Sequence, residues 1–481
     1  MPHPNHRFII IGAGPTGLGA ALRFLELGQK DFLMIEAAAT AGGLAASVVD
    51  DQGFTWDLGG HVQFSHYQKF DEYMELALGA DGWINHERES WIWIKGRFVP
   101  YPFQYNLHRL PPEERWRCVE GLLDAAGQPA GRAKNFEDWI LRTFGRGIAD
   151  VFLLPYNFKV WAYPPAMMNA SWVGERVAVP DLHKVIKSLC LDEDNPSWGP
   201  NNTFRFPRKG GTGAIWTSLA KRIPNANKRF RDAVVALDAA NRTVTTASGA
   251  VFGYEQLINT LPLDRLAKLV GDPELIERTS KLLYSSVHVV GIGLRGQPPE
   301  QLRTKCWMYF PENDCPFYRV TVFSNYSPYN TPAPGETWSL MAEVSESKHK
   351  PVKAANVVDE TIRGLRNARL IQTESDIISR WYRRLGHGYP TPSVDRDAIL
   401  NQVLPVLDAR GIFSRGRFGA WRYEVSNQDH SMMQGVEVAE RLMHGHAELT
   451  LLKPDLVNGR RNPFPYAEWA DSGQKKPDAI C

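Results

Sequence analysis

Gly12, Gly14 and Gly17 fall in the spacing GxGxxG directly after the apolar run Phe8-Ile9-Ile10-Ile11, and Glu36 closes a second apolar run, Phe32 to Ile35, about twenty residues further on. Residues of these types at this spacing can hold a diphosphate. Gly12 permits a tight turn, Gly14 lets backbone approach a pyrophosphate, and Gly17 lets a helix pack closely on a strand. A helix starting there aims backbone N–H groups and its positive dipole end at the phosphates, while Glu36 accepts hydrogen bonds from ribose hydroxyls. Periodicity supplies the elements that must position them. Phe8 to Ile11 is continuously apolar, like a parallel strand covered on both faces, Leu18 to Leu27 is spaced helically and stops at Gly28, and Phe32 to Ile35 is a second strand. The predicted unit is a βαβ dinucleotide site of the Rossmann type.

Thr40-Ala41-Gly42-Gly43-Leu44, just after the second strand, resembles the second glycine patch of the large FAD-binding superfamily that includes amine oxidases. Its glycines again allow close approach to a cofactor, and they point to FAD rather than NAD. A second GxGxxG, Gly291, Gly293 and Gly296, follows the strand-like Val287 to Val290, but Gln297-Pro298-Pro299 comes next, where a helix would have to start. No second Rossmann site is expected there.

A chain of 481 residues has room for roughly three domains. With 43% hydrophobic and 22% charged residues it reads as an ordinary globular protein, and a net charge of +2 means that any polyanion site must be local. The five cysteines form no CxxC pair, so no metal site is expected; Cys306 and Cys315 could face each other across a hairpin, and a reduced pair is favoured over a disulfide. Met1 to Arg7 is polar, and no run reaches the eighteen or so apolar residues of a membrane-spanning helix, so the cytoplasm is the expected location.

Further along, Glu113 to Ala126 and Phe136 to Phe152 read as helices, the first from the spacing of Trp116, Val119, Leu122 and Leu123. Arg229 to Val244 holds strand-like segments, and Leu257 to Leu261 reads as a buried strand returning to the first unit. Val287 to Ile292, Tyr318 to Phe323 and Trp338 to Val344 suggest a further sheet, interrupted by a helix from Val357 to Ala368, and a last helix runs from about Met433 to His444. The predicted fold is α/β: a Rossmann-type FAD-binding domain assembled from residues 1–104, 202–284 and 395–481, a helical domain over 105–201, and an antiparallel-sheet substrate domain over 285–394.

Gly59-Gly60-His61-Val62, followed by Phe64, Ser65, His66 and Tyr67, puts two glycines before a histidine in a predicted loop, where backbone can approach a flat cofactor. This stretch, GGHVQFSHY, resembles the histidine loop of the eukaryotic type of UDP-galactopyranose mutase. The resemblance continues in order over most of the chain through VPYPFQ, PYNFKVWA, GERV, WGPNNTFRFP, CPFYR, SNYSPYN, GHGYPTP and GRFGAWRYEVSNQDHS. On residue type alone, His61 fits a hydrogen-bonded structural histidine, each arginine a surface ion pair and each tyrosine amphipathic core. The shared motifs imply site roles instead.

By that resemblance His61 packs against the flavin near its reactive edge, and Arg176 and Arg319 clamp a diphosphate, for which arginine's planar fork is suited. Tyr309, Tyr326, Tyr389 and Tyr423 bind phosphate or line the sugar pocket. Tyr101, Phe103 and Gln104 take the uridine end, and Asn157, Trp161 and Asn201 lie near nucleotide and sugar. Gly12, Gly14, Thr16, Gly17, Glu36, Gly43, Leu44, Gly60, His61, Val234, Arg417, Asn427, Gln428 and Ser431 are expected around FAD. Arg88 and Ser90 match positions that contact NADPH, the reductant.

The implied reaction interconverts UDP-galactopyranose and UDP-galactofuranose without net oxidation: N5 of reduced flavin attacks the anomeric carbon as UDP leaves, the sugar ring opens and recloses with five members, and UDP recombines. No side-chain general base and no glycosidase-like carboxylate pair stands out. A flavin oxidoreductase of the amine-oxidase kind explains the first sixty residues equally well but not the paired arginines beside a uridine-like site. A non-catalytic FAD-binding scaffold is the third reading. A homo-oligomer is compatible with the sequence; nucleic-acid and membrane partners are not expected.

Overall fold

The computed structural model of the protein describes residues 3–128, 131–196 and 202–471; Asn201 and Cys481 lie outside them. Strand β1 (Asn5–Ile11), helix α1 (Pro15–Glu26) and strand β2 (Phe32–Ile35) form the expected βαβ unit, with the last four residues of β1 and all four of β2 buried. Pro15 opens the helix, where its missing N–H leaves nothing unsatisfied. β1 pairs in parallel with β2 on one side and with Val251–Asn259 on the other, in the register Ile9 to Leu257 and Ile10 to Ile258. The predicted returning strand is thus present. Ile412–Ser414 adds to it in parallel, and Val234–Asp238 and Thr243–Thr246 extend the edge antiparallel, so segments far apart in sequence build one seven-stranded sheet.

The helix Gln428–His444 lies along α1 and is almost wholly buried over its first thirteen residues, Gln428 to Glu440. Gly19 and Gly435 allow this approach: a side chain on Gly19 would collide with the backbone of Met432, and one on Gly435 with that of Thr16. The helix starts five residues before the expected Met433, because its first turn is polar in sequence but takes its partners from elsewhere in the fold.

A second seven-stranded sheet runs in the order Ile377–Pro390, Tyr284–Arg295, Thr337–Glu346, Arg319–Val322, Trp307–Tyr309, Ser90–Ile94, Arg97–Pro100. The hairpin Ser90–Pro100, which the sequence reading assigns to the first unit, belongs to this sheet through parallel pairing of Ser90–Ile92 with Trp307–Tyr309. The second GxGxxG is part of its packing. Gly291 and Gly293 lie within the strand Tyr284–Arg295, and added Cβ atoms would sit 2.6 Å from the rings of Trp56 and Phe54.

The helical unit holds Pro112–Ala126, Phe136–Ile148, Leu154–Trp161 and Leu182–Leu191. The single helix expected over Phe136 to Phe152 is broken at Gly145, whose φ of 69° takes it out of the helical region, and a π turn, Ala149–Leu153, follows. In the helix Pro112–Ala126 the buried face is Cys118, Gly121, Leu122 and Ala125, whereas Trp116 and Leu123 are 60% and 50% exposed. Gly121 contacts the backbone at Gly145 to Gly147, and that contact chooses the inward face over the apolar stripe. Cys118, Cys190, Cys306 and Cys315 are free thiols, and burial pushes Cys306 up to about 11 and Cys315 up to about 12. Among the described residues no helix is long and apolar enough to cross a membrane.

Candidate functional site

One cleft of about 860 Å³ runs from the glycine-rich turn, between the two sheets, to the helical unit. At its first end lie Gly12, Gly14, Pro15, Thr16, Glu36, Gly43 and Leu44. The two glycine patches meet there: Gly42 donates its N–H to the Ala13 carbonyl at 2.9 Å, and a Cβ on Gly43 would touch the Cα of Gly14 at 3.4 Å. Glu36 accepts the Ala13 N–H at 2.7 Å through one oxygen and the Ala38 N–H at 2.7 Å through the other, so it braces the turn while still lining the cleft. These residues fit FAD. A helix N-terminus opens on the cleft without a side-chain cap, the walls of the turn are glycine, and an acid stands at the end of β2.

In the middle of the cleft is the histidine loop. Gly59 has φ 138°, which favours glycine, and a side chain on Gly60 would press on the Arg319 guanidinium, with nitrogen and carbon atoms at 3.1 to 3.3 Å. His61 lines the cleft, and its Nδ1 is buried without a hydrogen-bond partner. Burial lowers the His61 pKa to about 4; Glu343 opposes the shift, while Arg417 and Arg319 add to it. His61 is therefore neutral at pH 7, polar at its ring nitrogens but uncharged.

Sequence reasoning did not identify Glu343. It grips Arg319 in a fork, Nη2 to Oε1 at 2.8 Å and Nε to Oε2, and Oε1 also accepts the Tyr318 hydroxyl at 3.2 Å. Burial alone would raise the Glu343 carboxyl, but Arg319 overrides it and holds the group below the usual carboxylate range. The available signal was one carboxylate inside the apolar run Trp338 to Val344, because an acid in a buried strand needs a partner. Arg319 is thus half of a buried pair as well as a cleft residue.

At the far end, Tyr423 lies 5.8 Å from the Arg176 guanidinium and 5.9 Å from that of Arg417, and Arg417 also sits 4.8 Å over Tyr389. Arg176 donates to the Glu424 carbonyl at 2.6 Å, and Arg417 to the Ser426 hydroxyl at 3.0 Å. Trp161 packs edge-on against Tyr423 at 4.7 Å and Tyr389 at 5.8 Å. Asn157 spends its amide on the Leu153 carbonyl at 2.8 Å. Arg88 lies over Tyr101 and Trp307 at 5.4 and 5.0 Å and donates to Tyr309 at 3.3 Å and to the buried Ser90 at 3.0 Å. Tyr101, Tyr309, Asn427, Gln428 and Ser431 complete the lining among the expected residues.

Six expected residues among those described do not line the cleft, one of them Ser90, which is fully buried and only accepts from Arg88 at 3.0 Å. Phe103 is fully buried and stacks on Phe152 at 4.7 Å, Gln104 donates its amide to the Ala178 carbonyl at 2.5 Å, and Tyr326 is sealed among Phe204, Phe206, Phe323 and Trp307. Gly17 lies on the buried face of α1 against the Gly12 backbone, and Val234 is on the sheet edge, packed with the core beneath it. Phe152, Tyr156 and Trp172 line the cleft without having been singled out.

The flavin containing amine oxidoreductase family model matches residues 15–443. A crystal structure of a reduced UDP-galactopyranose mutase superposes with a TM-score of 0.92 at 47% sequence identity, over 96% of this chain and 99% of that one. A CLA-producing fatty acid isomerase from P. acnes has a TM-score of 0.63 at 15% identity, over 92% of this chain and 100% of that one. Putrescine oxidase bound to putrescine has a TM-score of 0.61 at 14% identity, again over 92% of this chain and 100% of that one. These last two share the fold. Motifs, cleft and near-complete superposition agree: the chain belongs to the flavin-containing amine oxidoreductase family and, within it, to the UDP-galactopyranose mutases.

Proposed function

We propose that this protein interconverts UDP-galactopyranose and UDP-galactofuranose with reduced FAD, without net redox change, and that it is of the eukaryotic type, with NADPH as reductant in the cytoplasm. The observation that carries the reading is a single cleft with a dinucleotide turn at one end and Arg176, Arg417 and Arg319 towards the other, with a neutral histidine between them. When bound and reduced, the flavin supplies a nucleophilic nitrogen for the anomeric carbon.

The chain's own residues do the rest. Arg176 and Arg417, with Arg319 close by, take the diphosphate, whose departure and return they stabilise by charge. Tyr389 and Tyr423 present hydroxyls between the guanidiniums and the sugar. Trp161 and Tyr101 offer flat apolar faces to the nucleoside, and Asn157 keeps its carbonyl oxygen outside its bond to Leu153. Neutral His61 supplies a hydrogen-bonding ring that adds no charge beside the arginines. Phe152, Tyr156 and Trp172 wall the cleft and keep water away from the bound sugar. Arg88, braced from behind by the buried Ser90, holds the reductant in the same cleft.

The deciding experiment is product analysis. Protein reduced with dithionite under anaerobic conditions converts UDP-galactofuranose to UDP-galactopyranose over many turnovers, and the oxidised protein does not. Consumption of one oxidant per product, or no conversion by fully reduced protein, supports an oxidoreductase or a scaffold instead. NADPH reduces the flavin in competition with UDP; purely noncompetitive inhibition by UDP argues against a shared cleft.

A further inference from the structure

The histidine loop is anchored at both ends, and the second anchor lies outside the roles given above. At the His61 end, Gly59 and Gly60 rest on the Arg319–Glu343 pair. Five residues on, His66 is held by Asp429: Oδ2 accepts both the His66 backbone N–H at 3.1 Å and its ring Nδ1–H at 2.8 Å. Asp429 is 1% exposed, and its other oxygen accepts the His430 N–H at 2.8 Å. It is the second residue of the helix Gln428–His444, whose first turn also carries Gln428 and Ser431 into the cleft after the N-cap Asn427. The Asn462 N–H donates to the His66 carbonyl at 2.6 Å and holds the same end from the other side.

We propose that Asp429 is a positioning residue for the reaction, bolting the histidine loop to the helix turn that lines the cofactor region and so fixing His61 relative to the flavin. This rests on the reading of the cleft as a flavin and UDP-sugar site. A carboxylate suits the position because only acceptors are wanted, three N–H groups converge on its two oxygens, and it stands in the positive first turn of a helix. Asparagine can satisfy these donors with one oxygen only and turns an amide N–H towards one of the others.

His66, Asp429 and His430 bring three ligand-type atoms within 4.8 Å of one another, as at a metal centre. The Nδ1 to Oδ2 distance of 2.8 Å is that of a hydrogen bond, whereas two ligands of one tetrahedral zinc stand about 3.3 Å apart. The geometry is therefore that of a clamp.

The test uses full-length, flavin-loaded protein and the variants Asp429→Asn, His66→Leu and His66→Asn; asparagine at 66 can place an amide N–H near the position of the ring Nδ1–H. Hydrogen exchange over residues 59–67 and the visible flavin spectrum are read on the oxidised proteins, and kcat and KM for UDP-galactofuranose on the reduced ones. Asp429→Asn and His66→Leu speed exchange in the loop, shift the spectrum and lower kcat at least tenfold with KM within threefold, and His66→Asn recovers most of each loss. The proposal is overturned if Asp429→Asn keeps wild-type exchange and kcat, or if His66→Asn is as impaired as His66→Leu. It is also overturned if the purified protein holds one zinc per chain that Asp429→Asn removes. Absence of turnover in the wild type refutes the reading of the function, while exchange and spectrum still decide the clamp.

Discussion

Replacing Glu343 with glutamine separates the two demands on Arg319. In the native protein the Arg319–Glu343 fork is buried, Arg319 with 16% and Glu343 with 3% of its side chain exposed. The substituted amide keeps one acceptor for the guanidinium but leaves its charge uncompensated. Removing one partner of a buried pair costs about 3–5 kcal/mol, and the retained hydrogen bond puts the expected loss near the lower figure, about 3 kcal/mol. Affinity for the diphosphate moves the other way, because a carboxylate that repelled phosphate is gone and the arginine lacks a counter-charge. A gain of about 1.4 kcal/mol is a tenfold tighter Kd for UDP. Mass action then links the two effects: UDP at 100 times its Kd adds about 2.7 kcal/mol of stability and recovers most of what the variant lost. The assay is urea unfolding with and without UDP, with calorimetric titration for the Kd. A Glu343→Gln variant as stable as the wild type without UDP, or one that binds UDP more weakly, would falsify the assignment of Arg319 as a residue shared between a structural pair and a bound diphosphate.

Arg176→Ala should raise KM for the UDP-sugar or lower kcat/KM by roughly thirtyfold, the worth of a charged hydrogen bond of about 2 kcal/mol, while FAD content measured from the visible spectrum stays stoichiometric. His61 has a folded pKa of about 4, below an unfolded value near 6.5, so its contribution to stability is complete above pH 6.5 and is lost as pH falls towards 4. His61→Asn should therefore flatten the decline of stability over that window by up to about 3 kcal/mol, read from denaturation midpoints at each pH, and an unchanged pH profile counts against the buried neutral state. Gly291→Ala should cost about 1–3 kcal/mol through collision with the rigid Trp56 ring and leave NADPH reduction kinetics within twofold of wild type, as expected of a packing glycine rather than a nucleotide site.

The nucleotide end of the cleft was legible because its signals are local. A strand covered on both faces is a continuous apolar run, a diphosphate turn needs glycine, and the residues around Gly12 carry both in adjacent positions. The far end was legible only by resemblance, since nothing local distinguishes Arg176 over Tyr423 from an ordinary surface arginine. The failures share a cause: each depends on a partner distant in sequence. The turn from Gln428 to Ser431 looks too polar to begin a buried helix until His66, 363 residues from Asp429, supplies the hydrogen bonds. Trp116 looks like core until Gly121 is pressed against the next helix and turns the tryptophan outward. Tyr326 matches a site motif, but its ring is buried under the aromatic layer from Phe204, Phe206 and Phe323, a packing that no local pattern around residue 326 announces. Glu343 follows the same logic in reverse. Its chemistry is legible in one residue type, an acid within a buried strand, and only the identity of its partner required the fold. A lone ionisable residue in an apolar run therefore points to a site even where no motif marks it, and here it marks the residue that ties Arg319 to the histidine loop.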